Sequence, residues 1–248
     1  MKKAFLPLSI LCLIASFLLL PVVKAGNSKA VVTNSNSSVI VKAETSVVSA
    51  AVAAAMIYDS LKLEKIGLTK EAMLYAYEGQ RKLEASGKLK NSSVLTVIDF
   101  SQPSHKKRMY IIDVENYKVL FNTYVAHGKN TGLQYAEKFS NTPESLQSSL
   151  GFYVTKSTYF GKHGRSLKLS GMEPSINDKA EARAVVVHGA TYIGAHRLGA
   201  PYMGRSFGCP AVPQEVSNHV IDLIQDGSCM FIYHPSQKYL KQSTILNG

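Results

Sequence analysis

Val187-His188-Gly189, followed after a loop by Arg205-Ser206-Phe207-Gly208-Cys209-Pro210, decides how the rest of the chain is read. A β-branched run ends in an imidazole, and a thiol flanked by Gly208 and Pro210 follows it. A thiol, an imidazole and glycine-exposed backbone amides are the components of nucleophilic acyl transfer. Downstream, Pro213 suits the first position of a helix, Val216, Val220, Leu223 and Ile224 repeat at helical spacing, and Gly227 closes the element. Cys209 would then lie just before a helix N-terminus, where the macrodipole, together with His188, is expected to lower the thiol pKa. The amides of Gly208 and Cys209 are expected to face a developing oxyanion. Two plainer fates for Cys209 stay open, a small buried hydrophobe or a disulfide with Cys229, which itself begins an apolar strand and reads as structural.

Upstream of this stretch the chain is β-rich. Short β-branched and aromatic runs at 94–100, 109–114, 118–126, 152–159, 167–169 and 184–188 read as strands, and Asp113 to Asn116 as a hairpin turn. The connection 128–149, rich in Ser, Asn and Gly, is expected to overhang a binding groove. Before the strands, 45–63 is Ala-rich and helix-prone, and Thr69 caps a second helix that ends near Ser86 and Gly87. Met73, Ala76, Tyr77 and Leu83 share one face of that helix and are expected to dock on the main domain. After Cys229 to Tyr233 returns as a strand, Pro235 stops it and the remaining tail is polar and expected to be peripheral.

At the N-terminus, Lys2 and Lys3, an apolar run to Val23 and the exit Val23-Lys24-Ala25 read as a secretory leader cut before Gly26, with an uncleaved membrane anchor as the alternative. Residues 26–45, polar and without apolar periodicity, read as a tether. The expected organisation is therefore a signal peptide at 1–25, the tether at 26–45, a helical appendage at 46–90, a catalytic domain at 91–236 and the tail at 237–248. The 248 residues carry 28 Lys and Arg against 17 Asp and Glu; loss of Lys2, Lys3 and Lys24 would leave 25 against 17, a net of +8. A basic exported domain suits an anionic cell envelope, the periplasm or wall of a bacterium. No basic run with interleaved aromatics points to nucleic acid. Two cysteines beyond the leader are too few for a disulfide-built scaffold. His127, His163 and His196 join His188 in no metal-binding spacing such as H-E-x-x-H, and nothing calls for a cofactor. Tyr159, Lys162 and His163 read either as ordinary exposed residues or as a groove wall, and Arg205 and Arg197 either as plain surface charges or as carboxylate-binding forks.

The run from Arg183, R-A-V-V-V-H-G-A-T-Y and then G-R-S-F-G-C-P-A-V-P, resembles the exported murein L,D-transpeptidases of the YkuD-like class, whose signature is His-Gly followed by Ser/Thr-His-Gly-Cys. Here 17 residues separate His188 from Ser206. His127-Gly128-Lys129, Phe139-Ser140-Asn141, 149–153 and Gly161-Lys162-His163-Gly164 resemble the murein L,D-transpeptidase catalytic-domain branch, so the likeness spans roughly 55–235. It implies an α+β fold, mainly β: a sandwich or open barrel with a helix after the cysteine and a short N-terminal helical appendage. It implies that Cys209 attacks a peptidoglycan stem at its third residue and leaves a thioester. His188 matches the base, the Gly189 carbonyl the group orienting that base, and Ser206, Gly208 and Cys209 the surrounding loop. An amine acceptor would give a cross-link and water would give an L,D-carboxypeptidase; a non-catalytic peptidoglycan-binding module is the third reading. Phe207 stands where many members place histidine and Ala211 where they place Arg or Asn, which removes two polar groups beside the thiol.

Overall fold

The computed structural model describes residues 50–248. The expected leader, the tether and the first residues of the first helix lie outside them. Helix α1, at 50–60, and a 3-10 turn at Leu63–Ile66 precede helix α2, Lys70–Ala85. Thr69 caps α2 as its sequence position suggests: Thr69 Oγ1 accepts from the Ala72 amide at 3.3 Å and donates to Asp99 Oδ2 at 3.0 Å. One hydroxyl thus satisfies an orphan helix donor and ties the helix entry to the end of the first strand.

Eight strands form one mixed sheet: β1 (Asn91–Asp99), β2 (Met109–Asp113), β3 (Lys118–Thr123), β4 (Gly151–Gly161), β5 (Gly164–Gly171), β6 (Val186–Ala190), β7 (Ala211–Pro213) and β8 (Ser228–Tyr233). Their spatial order is β3-β2-β1-β8-β4-β5-β6-β7, with β1–β8 and β6–β7 parallel and every other pair antiparallel. Ala126, just past β3, bridges to Ala211 of β7, so the two edges of the sheet approach and the barrel nearly closes. Asp113 turns the β2–β3 hairpin as its side-chain chemistry allows, accepting the amides of Glu115 and Asn116 at 3.2 and 2.9 Å.

The core is continuous across helix and sheet. Met73, Ala76 and Leu83 of α2 join Leu95, Ile98, Phe152, Phe231 and Tyr233 in one buried cluster, with Phe152 stacked on Phe231 at 4.2 Å. Gly79 lies flush on that stack: a Cβ there would sit 2.0 Å from Phe152 Cζ. No described helix is long and apolar enough to cross a membrane.

Two expectations change. The helix after the thiol, α3 (Ser217–Ile224), starts four residues past Pro213, which instead ends the short strand β7; a 3-10 turn at Gln214–Val216 joins them. Three β residues were hidden by a proline whose fixed φ suits an edge strand as well as a helix start. The polar tail forms α4 (Gln237–Gln242) and α5 (Thr244–Asn247) and is fastened inward. Tyr239 and Ser243 are buried, and both hydroxyls donate to Glu173, itself fully buried and also receiving the Phe152 amide at 2.8 Å. Burial pushes the Glu173 carboxyl up, and these donors offset part of that rise.

Candidate active site

His188 sits in the middle of β6, opposite Ser166 of β5 on one side and Ala211 of β7 on the other. Its Nδ1 lies 2.9 Å from the Gly189 carbonyl oxygen. A carbonyl only accepts, so Nδ1 carries the proton and the neutral ring presents a bare Nε2, the tautomer a general base needs. Burial lowers the imidazole pKa, the Gly189 carbonyl raises it somewhat, and the neighbouring His163 and Lys162 lower it further. The resting ring is neutral at neutral pH.

Cys209 is half-buried and its thiol is free. The Val186 amide reaches Sγ at 3.5 Å and Sγ lies 3.7 Å from the Ala184 carbonyl oxygen. Val186 and His188 are two residues apart on β6, about 6–7 Å along the strand, so thiol and imidazole share one stretch of strand. Among the described residues no hydrogen bond joins them; such contacts tighten in many enzymes only when substrate is bound. Burial raises the thiol pKa above its ordinary value, against the lowering exerted by the Val186 amide and by Arg183 and Lys162. The expected depression is therefore absent. The helix invoked for it begins eight residues after Cys209, beyond the first-turn range of a helix dipole.

The turn that presents Cys209 is held from within by Ser206. Ser206 is buried; its hydroxyl donates to the Cys209 carbonyl at 2.6 Å and accepts the Gly208 amide at 3.1 Å. Its own amide donates to the His127 carbonyl at 3.0 Å. Ser206 is thus a staple of the turn and has no hydrogen left for a substrate. The Gly208 amide is already taken; the Cys209 amide, beside its own sulfur, is the one left to face an oxyanion. Gly208 has φ 126°, a conformation that suits glycine, and a Cβ there would meet the Gln147 carbonyl oxygen at 2.8 Å.

The connection 128–149 does not overhang freely. Gly128 bridges to Ser206, the Lys129 amide donates to the Ser206 carbonyl at 2.7 Å, and Ser148 Oγ donates to the Gly208 carbonyl at 3.2 Å. Beneath it, Arg108 Nη2 donates to His127 Nδ1 at 2.8 Å, so Nε2 carries the His127 proton and points at the Gly132 carbonyl, 3.2 Å away. Both groups are fully buried. Burial and the adjacent guanidinium push His127 down to about 3, and burial lowers Arg108 to about 9. His127 is scaffold for the loop.

The other expected binding residues are dispersed. His163, at the tip of the β4–β5 hairpin, stacks on His188 with ring centres 4.2 Å apart and planes 22° from parallel. Tyr159 is exposed on β4 with Lys168 Nζ 5.8 Å from its ring centre. Arg205 already donates to the Lys129 carbonyl at 2.8 Å and lies over the Tyr202 ring, and Arg197 reaches only the Tyr202 carbonyl at 3.5 Å. Neither fork stands free beside the thiol. Phe207, next to the nucleophile, is exposed. Lys162, read from sequence as groove wall, acts on the thiol, and Arg183 and Ser148 border its loop without having been singled out. Those two side chains arrive from distant segments, and no spacing in the sequence links those segments to Cys209.

A family model described as the L,D-transpeptidase catalytic domain matches residues 64–233. No functionally curated protein sequence matches. Among solved structures, an L,D-transpeptidase from Mycobacterium smegmatis is 13% identical with a TM-score of 0.36, over 57% of this chain and 59% of that one. A helical cell shape determining protein from Campylobacter jejuni is 13% identical with a TM-score of 0.37, over 68% and 61%. An L,D-transpeptidase from Stackebrandtia nassauensis is 13% identical with a TM-score of 0.33, over 67% and 68%. The chain thus spans about three fifths of the length of the first of these relatives. With more than half of its residues matched by that family model, the chain belongs to the L,D-transpeptidase catalytic domain family.

Proposed function

We propose that this protein is an exported cysteine L,D-transpeptidase that acts on peptidoglycan stem peptides. The observation that carries the reading is the Nδ1–H to Gly189 carbonyl bond, which leaves Nε2 of a neutral His188 as a proton acceptor on the strand that also touches Cys209 Sγ. The resting pair is thiol and imidazole, so proton transfer accompanies attack instead of preceding it as a stored ion pair. His188 Nε2 takes the Sγ proton as sulfur bonds to the carbonyl carbon of the stem's third residue. The Cys209 amide donates to the resulting oxyanion. Collapse breaks the amide bond, the leaving amine of the terminal D-residue takes the proton from His188, and a thioester remains. An acceptor amine then gives up a proton to His188 and displaces sulfur, forming a cross-link, and His188 returns that proton to the departing Sγ, restoring the thiol.

Intact mass spectrometry of the protein with a tetrapeptide stem tests this. A tripeptide-acyl adduct is expected on the native chain and none on Cys209→Ala, with cross-linked product appearing when an amine acceptor is added. Undiminished exchange by Cys209→Ala overturns the reading. Free tripeptide alone, with and without acceptor, assigns the L,D-carboxypeptidase reaction instead. The raised thiol speaks for the non-catalytic binding module, which predicts stem-peptide binding without any adduct.

A further inference from the structure

We propose that Arg183 is a positioning residue for the nucleophile: it clamps the connection 128–149 against the Cys209 turn and holds an uncompensated positive charge beside Sγ that favours the thiolate. The proposal rests on the reading of Cys209 as the nucleophile. The Arg183 guanidinium is half-buried and makes four hydrogen bonds, Nη1 to the Ser140 carbonyl at 2.8 Å and Ser149 Oγ at 2.7 Å, Nη2 to the Gln147 carbonyl at 2.6 Å and Ser145 Oγ at 3.3 Å. All four acceptors are neutral. Among the described residues it pairs with no carboxylate, although a guanidinium withdrawn from water ordinarily does.

The charge is aimed at the thiol by chain geometry. Arg183 Nη2 lies 3.4 Å from where a Cβ on Gly208 would stand, so the guanidinium rests on the residue preceding Cys209. The three residues after Arg183 wrap the sulfur, through the Ala184 carbonyl and the Val186 amide. The charged or titratable groups acting on Sγ are Arg183, Lys162 from the β4–β5 hairpin and Tyr192 from the loop after β6; His188, with His163 stacked on it, lies two residues along β6 from the Val186 amide that reaches the sulfur. Lys162 is exposed, and water and salt screen such a charge; Arg183 is partly withdrawn from both and acts more strongly. Burial disfavours the negative charge that develops on sulfur as His188 takes the proton. A fixed cation at the preceding residue counters that without consuming a proton, and its four bonds fix the loop that seats Gly208.

The test is the rate of Cys209 alkylation by iodoacetamide against pH in the full chain carrying Cys12→Ser, with the melting temperature of each variant. Cys229 is fully buried and stays silent. Arg183→Gln is expected to move the thiol midpoint up by about one pH unit and to slow alkylation below it about tenfold, whereas Arg183→Lys, which keeps the charge but loses the fork, restores most of the rate. A purely structural clamp would lower the melting temperature in both variants and leave the pH profile in place, and that result overturns the proposal. If Arg183→Gln does not fold, the Lys162→Gln background decides. There an anionic reagent, iodoacetate, is expected to react several-fold faster relative to iodoacetamide than it does with N-acetylcysteine, and the excess falls in high salt. A ratio equal to that of N-acetylcysteine overturns the proposal. Neither measurement uses a stem peptide, so an inert but cation-tuned thiol would fail the transpeptidase reading alone.

Discussion

At the scale of single residues, two histidines hold opposite tautomers for opposite ends. His188 is protonated on Nδ1 by its own neighbour's carbonyl and keeps Nε2 for chemistry; His127 is protonated on Nε2 because Arg108 occupies Nδ1. His127 has a measurable signature. The native state keeps it neutral down to about pH 3, whereas the unfolded chain takes up the proton near 6.5, so stability falls as pH drops through that window. Its contribution to the slope is about 1.4 kcal/mol per pH unit. His127→Gln supplies an acceptor for Arg108 and a donor for Gly132 without a titratable ring. Urea unfolding at several pH values between 4 and 6 is expected to show a slope smaller by about that amount, and an unchanged slope would refute the assignment. The sequence made His188 and Cys209 legible because a glycine follows one and precedes the other, leaving backbone groups open. It did not make Ser206, Arg183 or His127 legible as supports, since a buried hydroxyl or a carboxylate-free guanidinium depends on partners brought from other segments.

At the scale of elements, local chemistry and packing agree where elements are long. The α2 boundaries followed from Thr69 and from the glycine after its end, and its apolar face enters the core as spaced. Gly79 on that helix is a packing contact that no periodicity shows. Ala is the better helix former by about 1 kcal/mol, yet Gly79→Ala would drive a methyl into the Phe152 ring, itself held by Phe231. A net loss of about 1–2 kcal/mol is expected in chemical denaturation, and a stabilised variant would show that the helix can lift at no cost. Short elements were legible less well. The three-residue β7 is defined by pairing with β6 alone, and its proline imitates a helix start. Phe160 and Arg165 extend the β4–β5 hairpin beyond the runs read as strands, because pairing across a two-residue turn carries polar residues into the ladder.

At the scale of the whole molecule, helix and sheet share one core, and Thr69 ties α2 to Asp99 on β1. The appendage expected at 46–90 is packed as part of that body wherever it is described. Far-ultraviolet circular dichroism, dominated by backbone, and near-ultraviolet signals, which come from tyrosines in a chain without tryptophan, are expected to report one coincident unfolding transition. An earlier loss of helix signal would show α2 unfolding by itself. The sheet order has a consequence in time. The strands completed first, β1 to β3, have no laddered neighbour among β4 to β7; β8 inserts between β1 and β4 and is the strand that joins the two groups, the Ala126–Ala211 bridge being an isolated contact at the far edges. Closing such distant pairings is slow. Until Ser228–Tyr233 has emerged during synthesis, the two half-sheets share no ladder, so this strand is the latch that turns two separate ribbons into one sheet.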